Sequence, residues 1–91
     1  MSAEVRRLVT VSPVGETAPH VSIVRHNASG GRIGSVAEAD HGRRPCVCCG
    51  LSSPIFEPWT QGAMLGHHAT LDGAVAALVE FRLDGDGRVR R

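Results

Sequence analysis

The sequence predicts an α+β fold, in which a small antiparallel sheet of three to four strands packs one C-terminal helix on one of its faces. Three observations predict it. Apolar residues alternate in three segments of 4–39, a turn-forming sequence joins two of those segments, and apolar residues recur at helical spacing within 70–83. A helix of this length is marginal alone, so it must bury its apolar side against the strands that precede it.

We expect 1–91 to form a single domain, because this length is typical of one domain and no internal repeat divides it. A chain of this size buries only about 60% of the surface that its unfolded form exposes, so its core is thin. A thin core makes a stabilising metal or a partner subunit more plausible than in a larger domain.

The three predicted strands lie within 4–39. The first covers 5–11, where valines share one face. The second and third cover 20–26 and 32–39. Between them lies 27–31, with the sequence Asn-Ala-Ser-Gly-Gly, and asparagine and glycine both accept the positive φ that tight turns require. These last two strands are therefore predicted to form a hairpin.

The clearest predicted element is the helix over 70–83. Thr70 is a good N-cap, and the acidic Asp72 complements the helix dipole in the first turn. Gly85 is expected to end the helix as a left-handed C′ residue, and 84–91 is expected to be a loose basic tail. The apolar side of the helix comprises Leu71, Ala74, Val75 and Leu78.

The remaining segment, 40–68, is predicted to be a cysteine and loop segment. Two prolines make 50–58 irregular, and a short strand is expected within 63–68. The bulkiest side chains of the segment are expected to fold back onto the core; they are Ile55, Phe56 and Trp59.

All three cysteines fall within 46–49, where Cys46 and Cys49 form a C-x-x-C pair followed by glycine. Two thiolates from one tight turn are typical of half a structural zinc site. The nearest additional ligands are His67, with His68 beside it, and His41. One hypothesis is therefore a zinc ion held by Cys46, Cys49, His67 and His41.

Besides redox chemistry of the C-x-x-C pair, which lacks the βαβ pattern typical of thioredoxin-like motifs, two alternatives to zinc remain open. In the first, the cysteines pack as small hydrophobic residues of a strand that starts after Pro45. In the second, a cysteine thiolate is the nucleophile of an enzyme, with His67 or His68 as base and Asp72 or Asp40 orienting it. His67 and His68 are also interpreted as two exposed loop residues before the helix cap, with no part in metal binding or catalysis.

Arginine supplies all ten basic residues, and the formal net charge is +1. The absence of lysine is typical of a GC-rich genome, which indicates a bacterium or its phage. A net charge near zero does not indicate binding to nucleic acid or to an anionic membrane. Folding could still gather a nucleic-acid-binding patch from three arginine clusters: Arg6 and Arg7, Arg43 and Arg44, and Arg90 and Arg91.

We therefore expect a small non-enzymatic binding or accessory protein that acts through protein–protein contact, either with another protein or by self-association. A single helix leaves one sheet face uncovered, which favours such contact. A nucleic-acid-binding module, with or without structural zinc, and a Cys/His-dependent enzyme are the alternatives. The first residues lack a signal peptide and no apolar run is long enough for a membrane span, so we expect a cytoplasmic protein with no membrane partner.

Overall fold

The computed structural model describes residues 3–13, 20–39, 50 and 54–90. In this part of the chain, the strands form one antiparallel sheet in which each strand lies beside its sequence neighbour. The predicted α+β class is confirmed. Within the described ranges the sheet has five strands, whereas three to four were expected. The helices are α1 (Ala3–Leu8) and α2 (Leu71–Arg82), and the strands are β1 (Val9–Pro13), β2 (Val21–His26), β3 (Arg32–Ala39), β4 (Ile55–Thr60) and β5 (Ala63–Met64).

The hairpin of β2 and β3 forms as predicted, and it contains a β-bulge. Val24 pairs with Gly34 and Arg25 pairs with Arg32, so Ile33 is an additional residue on β3. The bulge allows Ile33, beside Gly34, to enter the core, where it is almost fully buried.

The prediction that a strand begins at 5 is wrong, because the chain is helical up to Leu8 and the strand begins at Val9. Val5 and Leu8 are three residues apart, which places both on one helix side, and both pack against the core. The hairpin turn holds the end of α1: the backbone N–H of Asn27 donates to the Leu8 carbonyl (2.9 Å), and its side-chain amide donates to the Arg7 carbonyl (3.0 Å). These carbonyls would otherwise lack partners at the helix end.

The prediction of an irregular segment over 50–58 is wrong for its second half, which forms β4. Pro58 pairs with Val36 of β3, and its carbonyl accepts from the Leu65 N–H on the other side (2.8 Å). In a strand the N and O of one residue point to the same side, so the N–H that Pro58 lacks lies on the side away from β3. On that side β5 is only two residues long, and a proline is tolerated there.

Helix α2 covers one face of the sheet by packing on β3 and β4. It begins as predicted, because the Thr70 hydroxyl accepts from the Gly73 N–H (3.0 Å). Leu78 is fully buried over Gly34, where an added Cβ would lie 2.7 Å from a Leu78 methyl group and 2.6 Å from the Trp59 carbonyl oxygen. Only glycine allows this close approach. None of the helices in the described ranges is both long and apolar enough to cross a membrane.

The end of α2 differs from its prediction. Leu83, in an extended conformation, is the C-cap in place of a left-handed Gly85. The prediction of a loose tail is wrong for residues 84–90. Leu83 pairs with Val89 in an antiparallel bridge, and the Arg90 N–H donates to the Arg82 carbonyl (2.6 Å). The chain therefore folds back on the end of α2.

The fold-back is attached to the sheet by His26, which is 6% exposed. Its Nε2–H donates to the Gly87 carbonyl (2.8 Å), and its Nδ1 lies 2.9 Å from the Ser29 hydroxyl. Since a carbonyl only accepts, Nε2 carries a proton. Gly87 has a φ of 78°, and an added Cβ would meet the Leu8 side chain at 2.7 Å. The His26 hydrogen bond thus joins the hairpin to the C-terminal turn, and Gly87 places that turn against Leu8 of α1.

Within the C-terminal turn, the Asp84 carboxylate accepts from the backbone N–H groups of Asp86 (2.9 Å) and Arg88 (3.0 Å). The hydrogen bond from Arg88 is the main cause that lowers the Asp84 pKa below its ordinary value of 3.8. Desolvation is the second-largest contribution and opposes this lowering of the pKa, whereas the bond from Asp86 and the charges of Arg88 and Arg90 add to it.

We predict that Gly34→Ala lowers the free energy of unfolding by about 1–3 kcal/mol, because a backbone oxygen and a buried leucine must both move to admit the methyl group. Urea denaturation measures the change. Gly31→Ala is the matched control: its nearest neighbour would be 3.4 Å away, and it should change stability by less than about 0.5 kcal/mol. Equal losses in both variants would contradict the close packing at Gly34.

We predict a pH-dependent contribution from Asp84. Because folding lowers its pKa, the unfolded state binds this proton more readily, and acid therefore removes the contribution. The wild type should be more stable than Asp84→Ala above the ordinary pKa of the carboxyl group, and the difference should shrink as the pH falls through the lowered value. Urea midpoints measured from about pH 7 to about pH 2 test this. Asp86→Ala serves as the control in the same turn, and a difference for Asp84→Ala that is constant across the range would refute the assignment.

Candidate functional site

The candidate site lies on the sheet face opposite α2, here called the open face. Gly34 and Val36 face α2, so Ser35 between them points to the other side. Its cross-strand partners Ile23 and Trp59 share that side, because residues paired directly across a sheet lie on the same face.

Two large apolar side chains are exposed next to each other on the open face. Trp59 is 40% exposed and its cross-strand partner Met64 is 36% exposed. Among the described residues, the other large exposed apolar side chain is Phe81 on α2. Tryptophan and methionine are enriched at the centre of protein interfaces, and adjacent exposed apolar residues are more informative than scattered ones.

Two arginines flank this pair on the open face. Arg25 and Arg32 are exposed and lie directly opposite each other on β2 and β3. Like charges at directly opposite positions destabilise a sheet. A contribution to the stability of the sheet therefore does not explain why both positions carry arginine. They give this end of the face a positive charge.

A cleft of about 310 Å³ opens where the start of β3 separates from the turn between β4 and β5. We call it the basic cleft, since its described lining residues include two arginines and no carboxylate. Gln61 and Gly62 form the turn, with φ values of 53° and 79°. A two-residue hairpin turn of this kind requires left-handed backbone at both positions. The described lining residues are Arg32, Ile33, Gly34, Ser35, Trp59, Thr60, Gln61, Gly62 and Arg82.

Arg82 reaches the basic cleft from the end of α2. Its Nη1 donates to the Ile33 carbonyl (3.0 Å) and to the Thr60 hydroxyl (2.7 Å), which itself donates to the same carbonyl (2.8 Å). Its Nε is buried and has no acceptor. Its Nη2 is neither hydrogen-bonded nor occluded in the described part of the structure, and no described carboxylate forms a salt bridge with it. The cleft therefore contains a fixed positive charge with an open donor group.

The residues proposed for zinc lie mostly outside the described ranges, namely Cys46, Cys49 and His41. The fourth, His67, is half-buried rather than exposed, and its Nε2 lies 3.1 Å from the Glu57 carboxylate. Zinc-binding histidines commonly donate their second ring nitrogen to a carboxylate, and Glu57 is suitably placed for that role. Residues 54–90 and the other described ranges contain no cluster of three or more metal-binding side chains, so the zinc site stays a prediction.

His68 has a local structural role. Its backbone pairs with Phe56 of β4, and its Nε2 lies 3.2 Å from the Leu65 carbonyl. Like His67 it is half-buried, so the interpretation of two exposed loop histidines is wrong. One carboxylate within hydrogen-bonding distance of His67 is that of Glu57, a residue that the enzyme hypothesis, with Asp72 or Asp40, did not include. Asp40 lies outside the described ranges, and the Cys/His enzyme stays a prediction.

The arginines proposed for nucleic acid are partly brought together. Arg7 and Arg90 line the same cavity of about 550 Å³, between α1, α2 and the C-terminal turn, whereas exposed Arg6 is not among its described lining residues. Three acidic residues line it as well: Glu80, Asp84 and Asp86. These carboxylates offset the positive charge that a phosphate patch would need. Arg43, Arg44 and Arg91 lie outside the described part of the chain, and the patch stays a prediction.

The open face was missed by the sequence reasoning, which expected Trp59 to pack on the core. Of the three bulky residues in that cluster, Ile55 is buried and Phe56 is half-buried, whereas Trp59 is exposed. Reading 55–60 as a strand would have placed Ile55 and Trp59 on one face and Phe56 on the other. No protein-family model matches the chain, and neither does a curated protein or a solved structure.

The zinc hypothesis predicts that protein purified without a histidine tag contains stoichiometric zinc, and that Cys46→Ser and Cys49→Ser each remove the metal and lower the melting temperature, because a structural site contributes folding free energy. Elemental analysis and thermal unfolding measure these effects. Glu57→Gln should weaken zinc affinity about 10–100-fold by releasing His67. Glu38→Gln is its control, since Glu38 lies 3.3 Å from the exposed His20. Metal-free wild-type protein with an unchanged melting temperature after zinc addition would leave the cysteines as packing residues.

Proposed function

We propose that this chain is a small non-enzymatic binding protein of a high-GC bacterium or its phage, that it acts in the cytoplasm, and that it docks another protein on its open face. The observation that carries the proposal is the adjacent exposure of Trp59 and Met64 on the one sheet face that α2 does not cover. A tryptophan in contact with a partner commonly supplies a large share of the binding free energy.

The charges beside Trp59 and Met64 define the chemistry of the partner. Arg25 and Arg32 are exposed on the open face, whereas the acidic Glu57 is already held by His67. A matching surface has an apolar centre and carboxylates at its edge, because complementary charge accelerates association and excludes wrong partners. The proposed partner is therefore another protein with an acidic rim around an apolar patch.

A second candidate, a nucleic-acid-binding module, is favoured by one observation: Trp59 and Arg32 line the same cleft, next to Arg25. Aromatic side chains that stack on bases, combined with arginines that follow the backbone, are typical of surfaces that bind single strands. The overall charge of +1 makes this candidate second to protein binding.

We predict that a photo-crosslinking residue at Met64 captures a discrete partner in cells of the native host, because this position lies at the centre of the proposed interface. The same residue at Phe81, which is 50% exposed on α2, is the matched control. Charge reversal at Arg25 and Arg32 should reduce the captured species roughly tenfold or more, as expected for like charges placed across an interface.

The mass of the captured species distinguishes the candidates. A protein adduct with an acidic partner supports the proposal, an adduct of twice the chain mass indicates self-association, and a nuclease-sensitive adduct indicates nucleic acid. Equal capture from Met64 and Phe81, or no capture from either, would contradict a binding function for the open face.

A further inference from the structure

We propose that the basic cleft binds the phosphate group of a small phosphomonoester. The cleft lies at the edge of the open face, but the inference rests on a different set of contacts and does not depend on the proposed docking of a protein. It starts from the lining of the cleft, in which Arg32 and Arg82 supply two positive charges and no described residue supplies a negative one.

The charge of its lining distinguishes this cleft from three other cavities of the described structure. The cavity of about 550 Å³ contains Arg7 and Arg90 together with three carboxylates. The cavity beside Phe81, which shares Gln61 and Arg82 with the basic cleft, contains Glu80. A fourth is lined by His20 and Glu38. Among these, only the basic cleft offers a positive charge with no described carboxylate to neutralise it, and it therefore favours an anion.

Arg82 is held in place for such an anion by its own contacts. Nη1 is bound inward to the Ile33 carbonyl and the Thr60 hydroxyl, which fixes the plane of the guanidinium group. These two hydrogen bonds attach α2 to the sheet and account for Nη1, but they leave Nη2 without an acceptor among the described residues. A guanidinium group fixed before the ligand arrives loses less entropy on binding than a free side chain does.

The remaining donors match a phosphomonoester better than a carboxylate. Arg32, Ser35 and Gln61 line the cleft with Arg82, and each of these four residues has a side chain that can donate hydrogen bonds. They are four donor groups with a summed charge of two, whereas a carboxylate has two oxygens and one charge. A phosphomonoester carries about −1.5 to −2 charges and three acceptor oxygens near neutral pH, and arginine forks fit its geometry.

Gln61 adds an independent observation. Its φ of 53° is unusual for a residue with a side chain, and Gly62 beside it also has a positive φ. Glycine or asparagine would form this turn with less strain. Gln61 therefore occupies a strained backbone position and lines a charged cleft, and this combination favours a role for its side chain in binding.

The test uses the intrinsic fluorescence of Trp59, which lines the cleft and is the only tryptophan in a chain without tyrosine. The full-length protein is titrated at constant ionic strength with inorganic phosphate, ribose 5-phosphate, acetate, and a short oligonucleotide without terminal phosphate. We expect a saturable change with the two phosphates, and a dissociation constant for acetate at least roughly tenfold weaker, as expected when charge-assisted hydrogen bonds are lost.

Arg32→Gln should weaken phosphate binding roughly tenfold, whereas Arg25→Gln should weaken it by a clearly smaller factor, because this cross-strand partner does not line the cleft and loses only a nearby charge. Gln61→Gly should weaken binding while raising the melting temperature, because glycine relieves the positive φ. These opposite changes cannot arise from unfolding. No saturable response to phosphate, equal effects of Arg32→Gln and Arg25→Gln, or tighter binding of the oligonucleotide than of ribose 5-phosphate would overturn the assignment.

Discussion

The structure depends on the close approach of α2 to β3 at Gly34. Leu78 fills the space that any side chain at Gly34 would need, and this contact lets a helix of twelve residues cover a sheet that has few large apolar residues of its own. The bulge beside it brings Ile33 into the same core. A small domain has little other apolar surface to bury, so the position of α2 determines which sheet face is core and which face meets the solvent.

That position has two consequences for function. The side of the sheet that α2 does not cover presents Trp59 and Met64, and the last turn of α2 carries Arg82 to the place where β3 and β4 separate. The packing of α2 on one face of the sheet therefore accounts for both the apolar patch of Trp59 and Met64 on the opposite face and the basic cleft beside it. A rigid helix and sheet hold the two features in fixed relative positions, as a binding surface requires.

The sequence predicted those elements whose local signals agree with their final environment. The turn over 27–31 and the Thr70 cap are such signals, and the hairpin and α2 formed where expected. Strand β4 was missed because Pro58 normally argues against a strand, and only the pairing partner on each side shows why it is tolerated. The basic cleft could not be predicted, since it joins residues of β3, a turn and α2 that are distant in sequence. For the zinc hypothesis, the sequence remains the main evidence, because Cys46 and Cys49 lie outside the described ranges.

The central claim is that Trp59 is exposed on the sheet face opposite α2, and acrylamide quenching of its fluorescence tests this most directly, since no other tryptophan contributes. The account predicts efficient quenching in dilute protein, and protection when a partner with an acidic rim and an apolar centre is added. Gly34→Ala, which disturbs the packing of α2 on the sheet, should alter the emission of the unliganded protein. A tryptophan that is already shielded from acrylamide in dilute protein would contradict the account.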